Sequence, residues 1–381
     1  MVPLLNEARQ RGWETLVVGP YFLGSAVRMT GHTLFGSSEP PKTGLPRARK
    51  PLAPPPPNRS LPDEASLGPT NGRFMGPSGF ELLAVMDQAV REWAPDVILR
   101  DPAEYSSAEV AARRGIPAVQ VATSLARHTW EAFEDVALQL KILRDGLVDE
   151  LRAAPFVTRL PPSLDPSPFP ATQRYREPAA AQRGTLPTCW ASSGAPLVYM
   201  TFGTVVGGVP ASDQVYPAVL EAAAGLDARV LMTVGRGFDM SKLRDIPGNV
   251  HVEAWMDQAS ILGEADVVVC HSGSGTVYGA LAAGVPLVVM PIWGDNMANA
   301  TTVAGAGAGI EITTGQDSHG DRILVSREDS PRIREAIETV LAAASYRQTA
   351  RAIAAEMATA PTITTLWNDL AHRTGDPSAS P

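Results

Sequence analysis

The chain has 381 residues, 44% of them hydrophobic and 19% charged, which gives room for two domains that each bury a core. A net charge of −8 leaves no basic surface for nucleic acid or an anionic membrane, and no stretch approaches the roughly 18 consecutive apolar residues of a membrane span. Asn6, Glu7 and Arg9 interrupt any secretory h-region at the start, and the two cysteines, Cys189 and Cys270, read as free thiols in a reducing cytosol rather than as a disulfide pair, so a cytoplasmic location is expected.

Pro3 to Arg11 read as an amphipathic helix ended by Gly12, and Glu14 to Gly19 as a strand. Helix, glycine, strand is the second part of a βαβ unit, whose opening strand would precede Met1. In a doubly wound sheet that strand is central, and without it the neighbouring strands keep apolar edges and unpaired backbone donors. An in-frame segment of roughly 15 to 20 residues, a strand and a loop, is therefore expected upstream. Glu39 to Glu64 is proline-rich and reads as a loop. Gly79 to Trp93 reads as a helix, "PDVILRD" as a strand ending at Asp101, Ser107 to Arg114 as a helix, and "PAVQVATS" as the next strand. A second proline-rich stretch, Arg159 to Pro187, reads as a domain linker.

Beyond it the alternation resumes. "PLVYMTFG", "RVLMTVG", "VHVEAW", "ADVVVCH" and "PLVVMP" read as strands, separated by helices at Asp213 to Leu226, Gln258 to Gly263 and "GTVYGALAAG". Helices at Met297 to Gly305, Ser330 to Ala344 and Tyr346 to Met357 follow. Short β-rich runs without period-2 alternation mark parallel strands buried on both faces. Two such blocks predict an α/β protein of two Rossmann-like domains facing across a cleft.

The most informative stretch is "ADVVVCHSGSGTVYGALAAGVPLVVMPIWGDN", Ala265 to Asn296, a complete βαβ unit. Its strand ends at His271, and the small-residue loop Ser272 to Gly275 opens a helix at Thr276. Small residues let backbone N–H groups approach an anion, and the helix N-terminus adds its dipole. His271 and Thr276 can add side-chain hydrogen bonds to a phosphate. A tight turn is the plainer role for Gly273 and Gly275. NAD is a competing ligand, because the two glycines begin a GxGxxG pattern and Asp295 follows Gly275 by 20 residues. Against it, Tyr278 occupies the third glycine position, and no comparable loop opens the chain.

"HSGSGTVYGALAAGVPLVVMPIWGDN" resembles the donor-binding signature of glycosyltransferase family 1, the GT-B-fold enzymes of bacterial natural-product pathways. The usual pattern is His-Gly-Gly-x-Gly-Thr, an Ala-Leu pair, Gly-Val-Pro and then Asp-Gln. The likeness extends through "VYMTFGT", "TVGRG", "IPGNVHVEAWMDQASIL" and "EMATAPT", and more loosely through "VPLLNEARQRGWE" and "PDVILRD…AARRGIPAV". It implies a GT-B fold with an acceptor-binding domain over 1–185 and a nucleotide-sugar domain over 186–358. A helix over 359–373 would return to the first domain, and a disordered tail would cover 374–381.

Position by position, the resemblance implies that Thr204 faces a diphosphate and that Trp255 stacks on or walls in a nucleotide base. Gln258 joins that site, with Asp257 where the family has proline. His271, Gly273, Ser274, Gly275 and Thr276 would hold the pyrophosphate, and Asp295 and Asn296 would hydrogen-bond sugar hydroxyls. Arg236 is a further donor-site candidate. The residues also allow plainer roles: Trp255 in the core, Asp295 as an N-cap for the helix from Met297, and Gln258 as a cap of the next short helix. Gly279 stands where many relatives carry a glutamate that grips ribose hydroxyls, which leans toward a dTDP-sugar.

The implied reaction moves a sugar, often a deoxysugar, from a dTDP- or UDP-sugar to a hydroxyl of a small natural product, with inversion at the anomeric carbon. It needs a base for the hydroxyl proton and fixed donors for the leaving diphosphate. No metal or other cofactor is expected, and a homodimer is left open. In the family the base is a histidine in the loop after the first strand, just before the proline matched by Pro3, so it would lie upstream of Met1. Asp101 matches its partner carboxylate, a loop acid or N-cap being the plainer role, and Glu104 is the alternative partner. His128, after the next strand, is the base candidate within the chain, a residue lining the acceptor cleft or a surface histidine being its plainer roles. The acceptor pocket is expected on the apolar side of the first domain, bordered by Glu39 to Glu64. Two rival readings are a homologue that binds nucleotide without turnover, and a sugar-nucleotide epimerase or NAD enzyme of similar fold.

Overall fold

The computed structural model describes residues 1–19, 24–36, 77–177, 194–204, 206–315 and 323–374, and they form two compact units. Unit 1 comprises Met1–Arg159, Pro166–Glu177 and the chain from Pro361; unit 2 comprises Leu160–Asp165 and Pro178–Ala360. The Glu39 to Glu64 loop, Cys189, the tail from 375 and residues 178–187 of the expected linker lie outside the described residues. Among those residues, no helix is long and apolar enough to cross a membrane.

Unit 1 begins with α1 (Val2–Gln10), β1 (Leu16–Gly19), α2 (Gly24–Met29) and β2 (Thr33–Gly36). It continues with α3 (Pro77–Trp93), β3 (Ile98–Arg100), α4 (Ser106–Arg114) and β4 (Ala118–Val121). Three helices follow, α5 (Ala126–Asp135), α6 (Ala137–Leu143) and α7 (Leu147–Ala153), then β5 (Phe156–Thr158) and β6 (Thr172–Arg174). Gly115, at φ +66°, ends α4 in the left-handed conformation that a side chain disfavours. The strands fall into two parallel sets, β1-β2 and β3-β4-β5-β6. The last strand corrects the linker expected over Arg159 to Pro187: Thr172–Arg174 pairs with β5. Prolines surround it without breaking it because it is an edge strand, which needs donors on one side only.

Unit 2 carries β7 (Leu197–Thr201), α8 (Ser212–Ala223), β8 (Arg229–Thr233), β9 (Val250–Glu253), α9 (Gln258–Leu262) and β10 (Val267–Cys270). Then come α10 (Ser274–Ala282), β11 (Leu287–Val289), α11 (Asn296–Gly305), β12 (Gly309–Glu311), α12 (Ser330–Ala342) and α13 (Ala344–Ala358). Its six-stranded sheet is parallel, in the order β12-β11-β10-β7-β8-β9. Every residue of β7 and β10 is buried, as expected for central strands covered by helices on both faces. Alternate residues Val198, Met200, Val230, Met232, Val267 and Val269 share one core with α8 and α12. The order reverses between β7 and β10, and the carboxyl ends of these strands are where an open α/β sheet places a ligand.

The last helix, α14 (Ile363–Thr374), belongs to unit 1. Leu366, Trp367 and Leu370 pack with Leu4 and Ala8 of α1 and with Val119 and Val121 of β4. The Trp367 indole N–H donates to Leu4 O at 3.0 Å, and Arg11 donates to Asn368 Oδ1 and Thr364 O, each at 2.7 Å. One apolar stripe and three directed hydrogen bonds therefore hold the end of the chain against its beginning.

Candidate functional site

In unit 2 the sequence-selected residues converge on the carboxyl ends of β7 and β10. His271 follows β10 directly and its ring is seated by two glycines. A Cβ at Gly203 would lie 2.9 Å from His271 Cε1, and one at Gly273 would lie 2.5 Å from its Nε2. Neither position tolerates a side chain with the ring in place, so Gly273 serves more than a turn. Burial pushes the His271 imidazole down to about 4, against the opposing charge of Asp295, so the ring is neutral at neutral pH. Its Nδ1 is buried and has no hydrogen-bond partner among the described residues, which is uncommon for a buried polar atom.

Helix α10 opens two residues earlier than the expected start at Thr276, with Ser274 as its first residue. Thr276 N–H already donates to Gly273 O at 3.0 Å, so only its hydroxyl is left for a phosphate. Around Gly275 a Cβ would meet nothing within 4 Å, and this open space lies over the positive end of the helix. The Ser274 hydroxyl points sideways and donates to Asp295 Oδ2 at 2.7 Å; Ser274 thus offers a ligand its backbone N–H rather than its side chain.

Asp295 occupies the N-cap position of α11, yet its side chain makes no cap hydrogen bond. The carboxylate accepts instead from Ser274 and from Asn299 Nδ2, the latter at 3.2 Å. Asn296, expected to face the sugar, is only 2% exposed. Its Oδ1 accepts from Trp293 N–H and its Nδ2 donates to Asp295 Oδ1, both at 3.3 Å. It therefore stands behind Asp295 rather than beside it. Asn299, which sequence reasoning missed, organises the group: 1% exposed, it also donates to Ser272 O and Ser274 Oγ, each at 2.9 Å.

Trp255 is 48% exposed, which removes the core-packing role. The Arg236 guanidinium lies over its ring, 4.5 Å from the centroid, a cation–π distance. Gln258 is the first residue of α9, with Asp257 at the N-cap and no side-chain cap bond; the capping role for Gln258 is not realised, and its buried Nε2 has no partner among the described residues. Thr204 is exposed just beyond β7. A Cβ at Gly279 would come within 2.9 Å of Leu262 Cδ1, so packing of α10 on α9 also favours glycine there. Cys270, buried at the end of β10, has its thiol pushed up to about 12 by burial and is inert. Tyr278, at the third glycine position of a dinucleotide loop, is buried and leaves no room for the close helix approach that loop requires.

In unit 1, Asp101 follows β3 and accepts from Ala103 N–H at 2.9 Å and from the Thr123 hydroxyl at 3.4 Å. Burial raises its carboxyl above the ordinary range, opposed by the Ala103 hydrogen bond, the Arg100 charge, the Thr123 hydroxyl and the amino terminus. Arg100 beneath it is buried and donates to Ser107 Oγ at 3.1 Å, Gln120 Oε1 at 3.0 Å and the carbonyls of Pro102 and Glu104. Glu104 is not available as a partner carboxylate: it accepts from Ser106 N–H at 2.6 Å and Ser107 N–H at 3.0 Å at the start of α4. His128 lies in the first turn of α5, part-buried. Asp101 and His128 thus follow the carboxyl ends of adjacent parallel strands, β3 and β4.

A family model described as the C-terminal domain of erythromycin biosynthesis protein CIII-like proteins matches residues 217–372. Elloramycin glycosyltransferase ElmGT of Streptomyces olivaceus is 32% identical over 338 residues, 81% of this chain and 81% of that protein. The 4'-demethylrebeccamycin synthase of Lentzea aerocolonigenes is 26% identical over 396 residues, 88% of this chain and 89% of that protein. Among solved structures, the glycosyltransferase SnogD from Streptomyces nogalater is similar with a TM-score of 0.71 at 21% identity, covering 98% of this chain and 95% of its own. Streptomyces sp. SF2575 glycosyltransferase SsfS6, complexed with thymidine diphosphate, gives 0.67 at 23% identity, covering 97% and 95%. At such identities the structural likeness speaks for the fold, two Rossmann-like domains.

Proposed function

Because the chain belongs to the GT-B glycosyltransferases of bacterial natural-product biosynthesis, we propose that it moves a sugar from a dTDP- or UDP-sugar to a hydroxyl of a small natural product, with inversion. The observation that carries this reading is His271: a neutral imidazole clamped between Gly203 and Gly273, with a buried nitrogen lacking a partner, beside the open N-terminus of α10. Inversion follows from a single displacement. The acceptor oxygen forms its bond to the anomeric carbon as the bond to the diphosphate oxygen breaks, and the hydroxyl proton passes to a base.

Negative charge then grows on the leaving diphosphate. The amides of Ser274 and Gly275, the hydroxyls of Thr276 and Thr204, and His271 are fixed donors that stabilise it without reorganising. The reading assigns no metal to this role. Asp295, steadied by Ser274 and Asn299, is placed to accept from sugar hydroxyls, and Trp255 to stack on the base, with Arg236 on its ring. On unit 1, Asp101 and His128 are the base candidates; burial makes Asp101 more basic than an ordinary carboxylate, which suits a proton acceptor. The absence of a side chain at Gly279, where a ribose-gripping acid would stand, favours dTDP over UDP, and SsfS6 and VinC have been solved with that nucleotide.

The test is calorimetric titration of dTDP and UDP into the protein and its His271→Ala variant. Loss of about 2–4 kcal/mol of donor stabilisation, read in nucleotide affinity and turnover, is expected for an oxyanion-type donor. Unchanged affinity with normal turnover refutes the His271 assignment, and UDP binding more than about tenfold tighter than dTDP, roughly 1.4 kcal/mol, refutes the donor preference.

A further inference from the structure

Strand β3 ends on a charged residue, Arg100, which is also the most deeply buried residue of the strand, 3% exposed. A charge at such depth is ordinarily paired with an opposite one. Among the described residues the Arg100 guanidinium makes no ion pair, and its hydrogen bonds end on uncharged oxygens. Nε donates to Ser107 Oγ at 3.1 Å, Nη1 to Gln120 Oε1 at 3.0 Å, and Nη2 to the carbonyls of Pro102 and Glu104. Gln120 is its register partner across β3 and β4. It is fully buried and donates onward to Leu151 O of α7 at 2.8 Å.

The two carbonyls belong to the turn that carries Asp101. Glu104 N–H closes this turn on Asp101 O at 3.1 Å, Ala103 N–H donates to the Asp101 carboxylate at 2.9 Å, and the Glu104 carboxylate accepts from the first two N–H groups of α4. One planar fork thus ties the turn to α4 through Ser107 and to β4 and α7 through Gln120, a directed geometry for which a guanidinium is suited. Holding carbonyls does not by itself call for a charge, because a neutral amide does it at a lower desolvation cost. The neighbour that gains from a charge is Asp101. Burial works against its carboxylate, and Arg100 works for it, together with the Ala103 and Thr123 hydrogen bonds and the amino terminus. Arg100 in turn feels Glu104, Tyr105 and Asp101, and the amino terminus feels Arg159 and Glu177.

We propose that Arg100 is a positioning residue for Asp101: its fork fixes the turn that presents the carboxylate, and its buried charge acts on that carboxylate. The inference rests on the proposed part of Asp101 in accepting the hydroxyl proton. It explains why a cation stands at the end of β3, where an apolar residue would pack.

The test follows the Asp101 carboxyl by carbon NMR through a pH titration, its signal identified by its loss in Asp101→Asn. Beside it are measured dTDP affinity and the release of dTDP from dTDP-glucose with benzyl alcohol as acceptor. In Arg100→Met the Asp101 midpoint should rise by about 1 in pH, and kcat should fall about tenfold or more while dTDP affinity is kept. In Arg100→Lys the charge remains but one ammonium cannot reproduce the fork, so the midpoint should stay near the parent's while kcat falls. Gln120→Glu keeps Arg100 and gives it a carboxylate partner, so the midpoint should rise there too; this variant decides the matter if Arg100→Met does not fold. An unchanged Asp101 midpoint in these charge-altering variants, with Asp101→Asn inactive, overturns the role of Arg100 and leaves the base reading standing. Parent-like kcat in Arg100→Met overturns that role as well. Parent-like turnover by Asp101→Asn overturns both.

Discussion

Ser272 sits at φ +67°, a left-handed conformation that costs a residue with a Cβ roughly 1–2 kcal/mol, and its hydroxyl is fully buried with no hydrogen-bond partner among the described residues. An unsatisfied buried hydroxyl adds about 1 kcal/mol or more. Glycine removes both terms but loses about 0.5–1 kcal/mol through the greater freedom of the unfolded chain. Ser272→Gly should therefore stabilise unit 2 by about 1–2 kcal/mol, or about 2–4 °C per kcal/mol in a domain of this size. Ser272→Ala separates the causes, because it discards the hydroxyl and keeps the backbone strain, and it should recover only part of the gain. Differential scanning calorimetry of the three proteins is the assay. A glycine variant that melts at or below the parent, or an alanine variant equal to it, refutes the strain argument. The family's usual glycine at this position agrees with the reasoning, and the strain lies between His271 and Gly273, where altered backbone geometry would move the imidazole.

Asn299→Leu keeps the volume but strips three acceptors of a shared donor, so it should cost about 1–3 kcal/mol in stability and lower kcat/KM by loosening Asp295, checked by denaturant melts and donor kinetics. Trp255→Ala should weaken dTDP by about 1–3 kcal/mol, the range of a base–aromatic stack, measured by calorimetry; no loss would remove Trp255 from the base site. His271 is held near 4 while an unfolded histidine titrates near 6.5, so between these values the unfolded chain binds the extra proton. Stability should therefore fall as pH drops from about 6.5 toward 4, by at most about 1.4 kcal/mol per unit, and His271→Gln should flatten that part of a urea-melt pH series.

Unit 2 was legible because its central strands are buried on both faces and so appear as continuous apolar runs such as "VVVC" and "LVYMT". Its anion loop was legible because the need for small residues beside a helix start leaves a pattern in neighbouring positions. What escaped depends on contacts distant along the chain. Asn299 is one polar residue on α11, and only its approach to the loop 25 to 27 positions earlier gives it a role. Asn296 was misjudged for the same reason: proximity to Asp295 in sequence did not show that its amide is spent on Trp293 N–H and Asp295 itself. Helices α5 to α7 passed unread because they follow one another between β4 and β5 with no strand between them, so the strand–helix alternation that marks the rest of the chain gives no cue there.

The two glycines that clamp His271 carry the argument one step further. Gly203 lies at the end of β7 and Gly273 just beyond β10, and a Cβ on either would strike the same ring. A histidine that merely filled space would not need both neighbours emptied, because its ring could turn toward either one. Emptying both fixes the ring plane and leaves the buried Nδ1 with one orientation, which is the preorganisation an anion-stabilising donor requires. Strand order brings the two glycines together: β7 and β10 are adjacent only because the sheet reverses there. The chemistry proposed for His271 thus depends on topology, with residues some 70 positions apart meeting where β7 and β10 lie side by side.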